Sequence, residues 1–220
     1  MPSLHPSLNT HQPLPRMPQL PRPSTWVPAE RNGSQMLADT LAAWRSIGPR
    51  PDLWLFGYAS LVWRPEFDVA ETRLARVHGH HRSLQMWSRV NRGTPERPGL
   101  VFALVRGGSV QGLALRIPHA QVEALMPKLW AREMPNPVYD PRWLPCQTAQ
   151  GMVPALAFTL SRRSPNYTGV LSAERYRDIF GHSVGRYGST VDYARQTLHG
   201  LREHGIEDRA LARLLHLTSP

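Results

Sequence analysis

Cysteine is all but missing from this chain: Cys146 is the only one in 220 residues. A lone thiol excludes an intrachain disulfide and a Cys-rich metal site, and it fits a reducing, cytosolic location. Lysine is just as scarce. Lys128 stands alone among 26 basic residues, so arginine carries the formal charge of +10. The fixed fork of donors on arginine suits carboxylates and phosphates, and a basic surface of this kind favours anionic partners, nucleic acid or a small anionic substrate. A genome-wide bias toward arginine accounts for the charge equally well. No apolar run reaches the roughly 20 residues that span a bilayer, so no membrane partner is expected. The N-terminal residues lack the continuous apolar core of a secretory signal. With only Arg16 and Arg22 among the first 29 residues, they give an organellar transit peptide little support. The glycines and lysine of a phosphate-binding loop are missing too, which leaves nucleotide binding unsupported. No internal repeat is present.

Proline, by contrast, is concentrated. Eight of the 22 prolines fall in the first thirty residues, without any periodic apolar pattern. Such a composition cannot fix its own backbone, so residues 1–32 are expected to form a disordered tail. Residues 33–50 are expected to be a helical extension and 51–220 the main domain. In the extension, Met36 or Leu37, Leu41 and Trp44 recur at helical spacing over 34–47, behind Ser34 as cap. Strands are predicted at 53–58, 73–90, 100–106, 111–117 and 152–160, with another strand or two after Tyr139. Residues 100–117 read as two strands joined through Gly107-Gly108. Helices are predicted at 119–132 and near 172–181, 190–203 and 207–217. Strand and helix do not alternate, so the fold class is α+β: a small mixed, partly closed β-barrel-like sheet with peripheral helices.

Four stretches are candidates for chemistry. In Leu53–Trp63 an apolar strand runs into Gly57, Tyr58, Ala59 and Ser60. Small side chains there let another molecule approach the backbone N–H groups, which can hold a carboxylate or a carbonyl oxygen turning negative. An ordinary strand-to-turn transition has the same look. Next, Arg132 and Glu133 stand where an apolar helix meets Pro135 and Pro137. A glutamate at a helix C-terminus is disfavoured by the macrodipole, which makes the placement odd unless Glu133 has a task or partner. Third, His78 and His80 fall on one face of a predicted strand. No carboxylate or cysteine stands at ligand spacing nearby, so these are expected to be surface or packed histidines rather than metal ligands. Fourth, Arg89, Arg92 and Arg97 crowd a Gly/Pro loop that either grips an anion or is merely solvated. The segment from His199 to Leu217 reads as structural.

Taken in order, these pieces resemble the ChaC-type γ-glutamylcyclotransferases. The family pattern W-x-F-G-Y-G-S-L-x-W is similar to Trp54–Trp63, and R-G-T-x-x-x-P-G to Arg92–Gly99. G-x-A-x-R-x-P resembles Gly112–Pro118. L-W-x-R-E-M followed by a tyrosine and a tryptophan resembles Leu129–Met134, Tyr139 and Trp143, and P-x-Y resembles Pro165–Tyr167. The resemblance runs collinearly over about residues 53–217, and the joint match is far more specific than any one motif. Two departures stand out. Ala59 replaces the second glycine of the first motif, so a position needing positive φ would be strained, or an extra methyl would narrow the site. Val184–Ala194 replaces G-x-x-G-x-N-x-x-Y-L with a slightly longer stretch lacking the asparagine.

The resemblance implies a lyase that degrades glutathione by intramolecular cyclisation, giving 5-oxoproline and Cys-Gly with no cofactor and no metal. It implies Glu133 as the catalytic general base and acid, and Tyr58, Ala59, Ser60, Leu61 and Tyr167 as substrate-binding residues. It further suggests a cytoplasmic monomer or weak dimer with glutathione as its small-molecule partner and no nucleic acid. Two alternatives stand beside it. One is a cyclotransferase for other γ-glutamyl amines or dipeptides, which Ala59 keeps open. The other is a non-enzymatic, Arg-rich nucleic-acid binder, which leaves Glu133 without a role.

Overall fold

The computed structural model describes residues 32–217, so the expected proline-rich tail lies outside the described residues save for Asn32. Asn32, and not Ser34, caps the first helix, α1 (Gly33–Arg45), because its side-chain oxygen accepts from both Ser34 N and Gln35 N. The rest follows as β1 (Leu53–Gly57), α2 (Ser60–Trp63), β2 (Glu71–Ser88), β3 (Gly99–Ile117), α3 (His119–Glu133), β4 (Asp140–Thr148) and β5 (Gly151–Leu160). Then come α4 (Ala173–His182), a two-residue ribbon of β6 (Val184–Gly185) and β7 (Gly188–Ser189), α5 (Thr190–Glu203) and α6 (Arg209–His216). This is the expected α+β mixture with a small barrel-like sheet, and the sheet is closed. Its strands run in the order β1-β3-β2-β4-β5, with β1 parallel to β5 at the seam through Trp54↔Ala155 and Leu55↔Leu156.

One strand differs from expectation. Residues 99–117 form a single continuous β3, not two strands with a turn between them. Gly107 and Gly108 do take left-handed backbone angles (φ 111° and 71°), but they lie opposite Gly79 (φ 77°) where the register against β2 shifts between His78 and His80. Glycine on both strands permits a bulge that bends the pair without ending it. The bend lets β3 serve two sides of the barrel. Its Leu113–Ile117 end pairs with β1, while Leu104 and Val105 pair with β5. The same irregularity separates the two histidines expected to share a face: His78 is exposed and His80 is buried.

The buried core runs through Leu55 and Phe56, Leu104 and Val105, Leu113 and Leu115, and Leu156 and Phe158. Cys146, on β4, is wholly buried as well, and burial pushes its thiol pKa up to about 12. Outside the barrel, α1 packs on α3: buried Trp44 stacks on His119 with centroids 5.2 Å apart, and Trp130 Nε1 donates to Gly33 O at 2.9 Å. α5 lies against α2, where Trp63 Nε1 donates to Thr197 Oγ1 at 3.2 Å. Residues of α2, of the end of α3 and of α5 border one cavity.

Candidate active site

β1 ends at Gly57, and two residues later the chain turns into α2, only four residues long. A helix start leaves its first N–H groups without intrahelical acceptors. Here no side chain caps α2, and the N–H groups of Ala59, Ser60 and Leu61 have no acceptor among the described residues. Ala59 has φ −143°, so the alanine in place of glycine carries no left-handed strain; what remains of that departure is a methyl group beside the site. Tyr58, Ala59, Ser60 and Leu61 all border one cavity of about 770 Å³.

The C-terminus of α3 delivers Glu133 to the same cavity. Its side chain is 16% exposed, and Arg132 Nε lies 3.1 Å from Glu133 Oε1. Arg132 Nη1 also donates to Pro65 O at 2.8 Å and to Glu66 Oε2 at 3.0 Å, which locks the guanidinium between two carboxylates. Burial raises the pKa of Glu133 above the usual carboxylate range; Arg132 opposes that rise and the nearby Glu66 adds to it. The helix end is therefore occupied by a carboxylate that holds its proton more tightly than a surface glutamate does.

Three phenols complete this wall. Tyr58 Oη donates to Phe158 O at 2.9 Å and Tyr139 Oη to Phe102 O at 3.3 Å, while Tyr193 packs on Phe102 with centroids 5.4 Å apart. All three are buried, burial raises all three pKa values, and the charge of Glu133 raises each further. These groups stay protonated and can only act as hydrogen-bond donors or neutral acceptors. Tyr139 entered the sequence reading only as part of a motif, and Tyr193 only within a stretch that departs from one. Their convergence on Glu133 is a product of tertiary structure.

The arginine loop divides its three members. Arg92 is buried: its guanidinium lies 4.7 Å from the Tyr193 ring centroid and donates to Tyr187 O. Gly93 and Gly99 press the loop backbone together beneath it, since a Cβ on Gly99 would stand 2.0 Å from Arg92 O. Arg92 thus positions a tyrosine. Arg89 is exposed on the cavity wall and donates to Asn166 Oδ1 at 3.2 Å, whereas Arg97 borders a separate, smaller cavity.

Tyr167 is placed differently from the other expected contacts. It does not border the cavity, although its neighbour Asn166 does, and its hydroxyl donates to Gln85 Oε1 at 3.2 Å. The backbone of Tyr167 bridges to Met86, which ties this segment to β2. The structure therefore brings together Glu133, Tyr58, Ala59, Ser60 and Leu61 and leaves Tyr167 outside, with Tyr139 and Tyr193 as unanticipated phenols. Among the described residues, no three His, Cys, Asp or Glu side chains cluster closely enough to hold a metal ion.

The chain has recognisable relatives among known proteins. The family model described as ChaC-like protein matches residues 53–219. A glutathione-specific γ-glutamylcyclotransferase from Escherichia coli (strain K12) is 32% identical over 191 residues, covering 86% of this chain and 80% of its own length. The Homo sapiens glutathione-specific γ-glutamylcyclotransferase 1 is 32% identical over 154 residues, or 68% of this chain and 69% of that one. In fold, the chain is similar to a crystal structure of a γ-glutamyl cyclotransferase specific to glutathione from yeast. That match has a TM-score of 0.67 at 18% identity and covers 76% of this chain and 95% of the other.

Proposed function

The chain belongs to the ChaC-like protein family, and from that premise we propose that it is a glutathione-specific γ-glutamylcyclotransferase. It is a lyase that closes the γ-glutamyl arm of glutathione into 5-oxoproline and releases Cys-Gly. One observation carries the reading: a largely buried glutamate of raised pKa, Glu133, borders the same cavity as the unpaired backbone donors of Ala59 to Leu61. The cavity falls within the range of roughly 300–1,000 Å³ common for small-molecule sites. The protein acts in the cytoplasm as a monomer or weak dimer, without nucleic acid.

In this reaction nucleophile and electrophile share one molecule. The α-amine attacks the γ-carbonyl, a tetrahedral oxyanion forms, and the amide nitrogen of the cysteine leaves. Holding the γ-glutamyl arm folded supplies an effective molarity of about 10⁵–10⁸ M. The α-amine arrives as an ammonium ion, so Glu133 removes one proton before the attack and delivers it to the departing nitrogen. The second proton, lost from the attacking nitrogen as the lactam forms, leaves the released amine as an ammonium ion. An ordinary carboxylate is too weak a base for that exchange, and burial narrows the gap. The free N–H groups at the start of α2 receive the oxyanion. The protonated phenols of Tyr58, Tyr139 and Tyr193 orient the γ-glutamyl head, and the exposed guanidinium of Arg89 draws the anionic peptide toward the mouth.

The direction of the Glu133 shift sets the pH dependence. Only the carboxylate can accept the ammonium proton, and a raised pKa postpones its formation to higher pH. The acid limb of kcat/KM is therefore expected above the usual glutamate range. Replacing Arg132 with glutamine removes the opposing positive charge and moves that limb further up, which a pH–rate profile of the two proteins measures. The same shift makes folding stability fall as pH rises from the ordinary glutamate value through the raised one, because the folded state binds the proton more tightly.

Purified protein incubated in parallel with glutathione and γ-glutamyl-alanine tests the substrate. 5-Oxoproline is expected from glutathione at a rate about tenfold or more above that from the dipeptide, since the dipeptide lacks the contacts of the glycine end. Equal rates favour a broader cyclotransferase, the reading that the methyl of Ala59 keeps in view. No 5-oxoproline from either substrate removes the proposal.

A further inference from the structure

Outside the cavity a buried ion pair reaches the turn that bears the backbone donors. Arg82, in the middle of β2, donates through Nη1 to Tyr58 O at 2.8 Å and to Gln111 O at 3.1 Å. Asp208, the N-cap of α6, holds the other edge of the guanidinium, its Oδ2 lying 2.9 Å from Nε and 2.7 Å from Nη2. The Arg82 side chain is 4% exposed and that of Asp208 15%. Neither residue borders the cavity. Burying an ion pair costs several kcal/mol of desolvation per ion, roughly, and a well-packed apolar pair often serves stability as well. Packing alone thus gives no reason for a charge at this place.

We propose that Arg82, held by Asp208, is a positioning residue for the cyclisation: it fixes the Tyr58–Ala59 peptide so that Ala59 N–H is presented to the cavity as an oxyanion donor. This rests on the function proposed above. A trans peptide is planar, with its C=O and N–H pointing to opposite sides, and the described chain has no cis bond. Tyr58 and Ala59 border the cavity whereas Arg82, Gln111 and Asp208 do not, so Arg82 grips the carbonyl from the side away from it. Fixing the carbonyl there sends the N–H of Ala59 inward. The positive charge on the carbonyl also polarises the amide and strengthens its N–H as a donor, as in any chain of hydrogen bonds inside a low dielectric. No protein group competes for that N–H among the described residues.

The test compares Arg82→Met, Arg82→Lys and Asp208→Asn with the parent protein. The last two keep a donor and the N-cap oxygen, and they carry the test where Arg82→Met does not fold. Losing one oxyanion donor typically lowers kcat by about 10²–10³-fold. We expect a fall of that order for Arg82→Met with KM little changed, because the contact strengthens only at the transition state. Arg82→Lys retains more of kcat than Arg82→Met, and the acid limb set by Glu133 stays in place. A folded Arg82→Met with parental kcat overturns the proposal, as does a loss that follows Tm with KM rising alongside. One readout is independent of turnover: in ¹⁵N-labelled protein the Ala59 amide resonance shifts in each variant. An unmoved Ala59 resonance overturns the positioning role even where glutathione is turned over. Parent protein that yields no 5-oxoproline, yet shows the shift, rejects the substrate and leaves the peptide clamp standing.

Discussion

Replacing Glu133 with glutamine is expected to lower kcat for 5-oxoproline formation by about 10²–10⁴-fold, the usual worth of positioned proton transfer. The amide has nearly the shape of the carboxylate but cannot take a proton from an ammonium ion. Arg132 keeps its other anchors on Pro65 O and Glu66, so the helix end stays in place. Removing a buried charge also removes a desolvation cost, so Tm is expected to equal or exceed the parental value. Steady-state kinetics and a thermal melt on the same preparation check both halves. Parental kcat in a folded Glu133→Gln protein would mean that the proton travels by another route.

The largest effect on folding is expected at Gly99. A methyl there would stand 2.0 Å from Arg92 O and 2.5 Å from Thr190 Oγ1. Both atoms are fixed: Thr190 Oγ1 donates to Arg92 O and accepts from Leu100 N at 2.9 Å. With backbone on one side and a buried hydroxyl on the other, no flexible side-chain end can yield. Gly99→Ala is therefore expected to cost about 3 kcal/mol, the upper end for overpacking. At roughly 2–4 °C per kcal/mol for a chain of this size, Tm falls by about 10 °C. Gly181→Ala, in α4 with nothing within 4 Å of the added methyl, serves as the control and leaves Tm unchanged or slightly higher. Equal melts for the two variants would show that the loop gives way more easily than its contacts indicate.

Where the sequence was informative, the signal was local. Gly57-Tyr58-Ala59-Ser60 interrupts an apolar strand, and Glu133 precedes a proline pair at a helix end; both signals are visible within ten residues, and Tyr58, Ala59, Ser60 and Glu133 border the cavity. Failures came where long-range pairing outweighs local chemistry. Gly107-Gly108 carries the composition of a hairpin turn, yet β2 runs past it and binds both halves of β3, so the glycines bend a strand. Tyr167 is a separate case: a three-residue motif names it, and in the structure its backbone bridges to Met86 and its hydroxyl donates to Gln85 Oε1. Arg82 has no local signature at all: an arginine between His81 and Ser83 reads as a solvated strand residue. Only the closed barrel brings Tyr58 and Asp208 to it.

The solitary sulfur has a consequence for the cellular setting proposed here. Exchange with a disulfide requires an accessible thiolate, and Cys146 offers neither access nor ionisation at neutral pH. An enzyme that consumes a thiol tripeptide meets the oxidised dimer of that tripeptide whenever the redox balance of its surroundings tips. Folded, this chain has no handle by which the dimer can attach to it covalently. Oxidative stress can therefore change how much reduced tripeptide reaches the cavity without glutathionylating the catalyst itself.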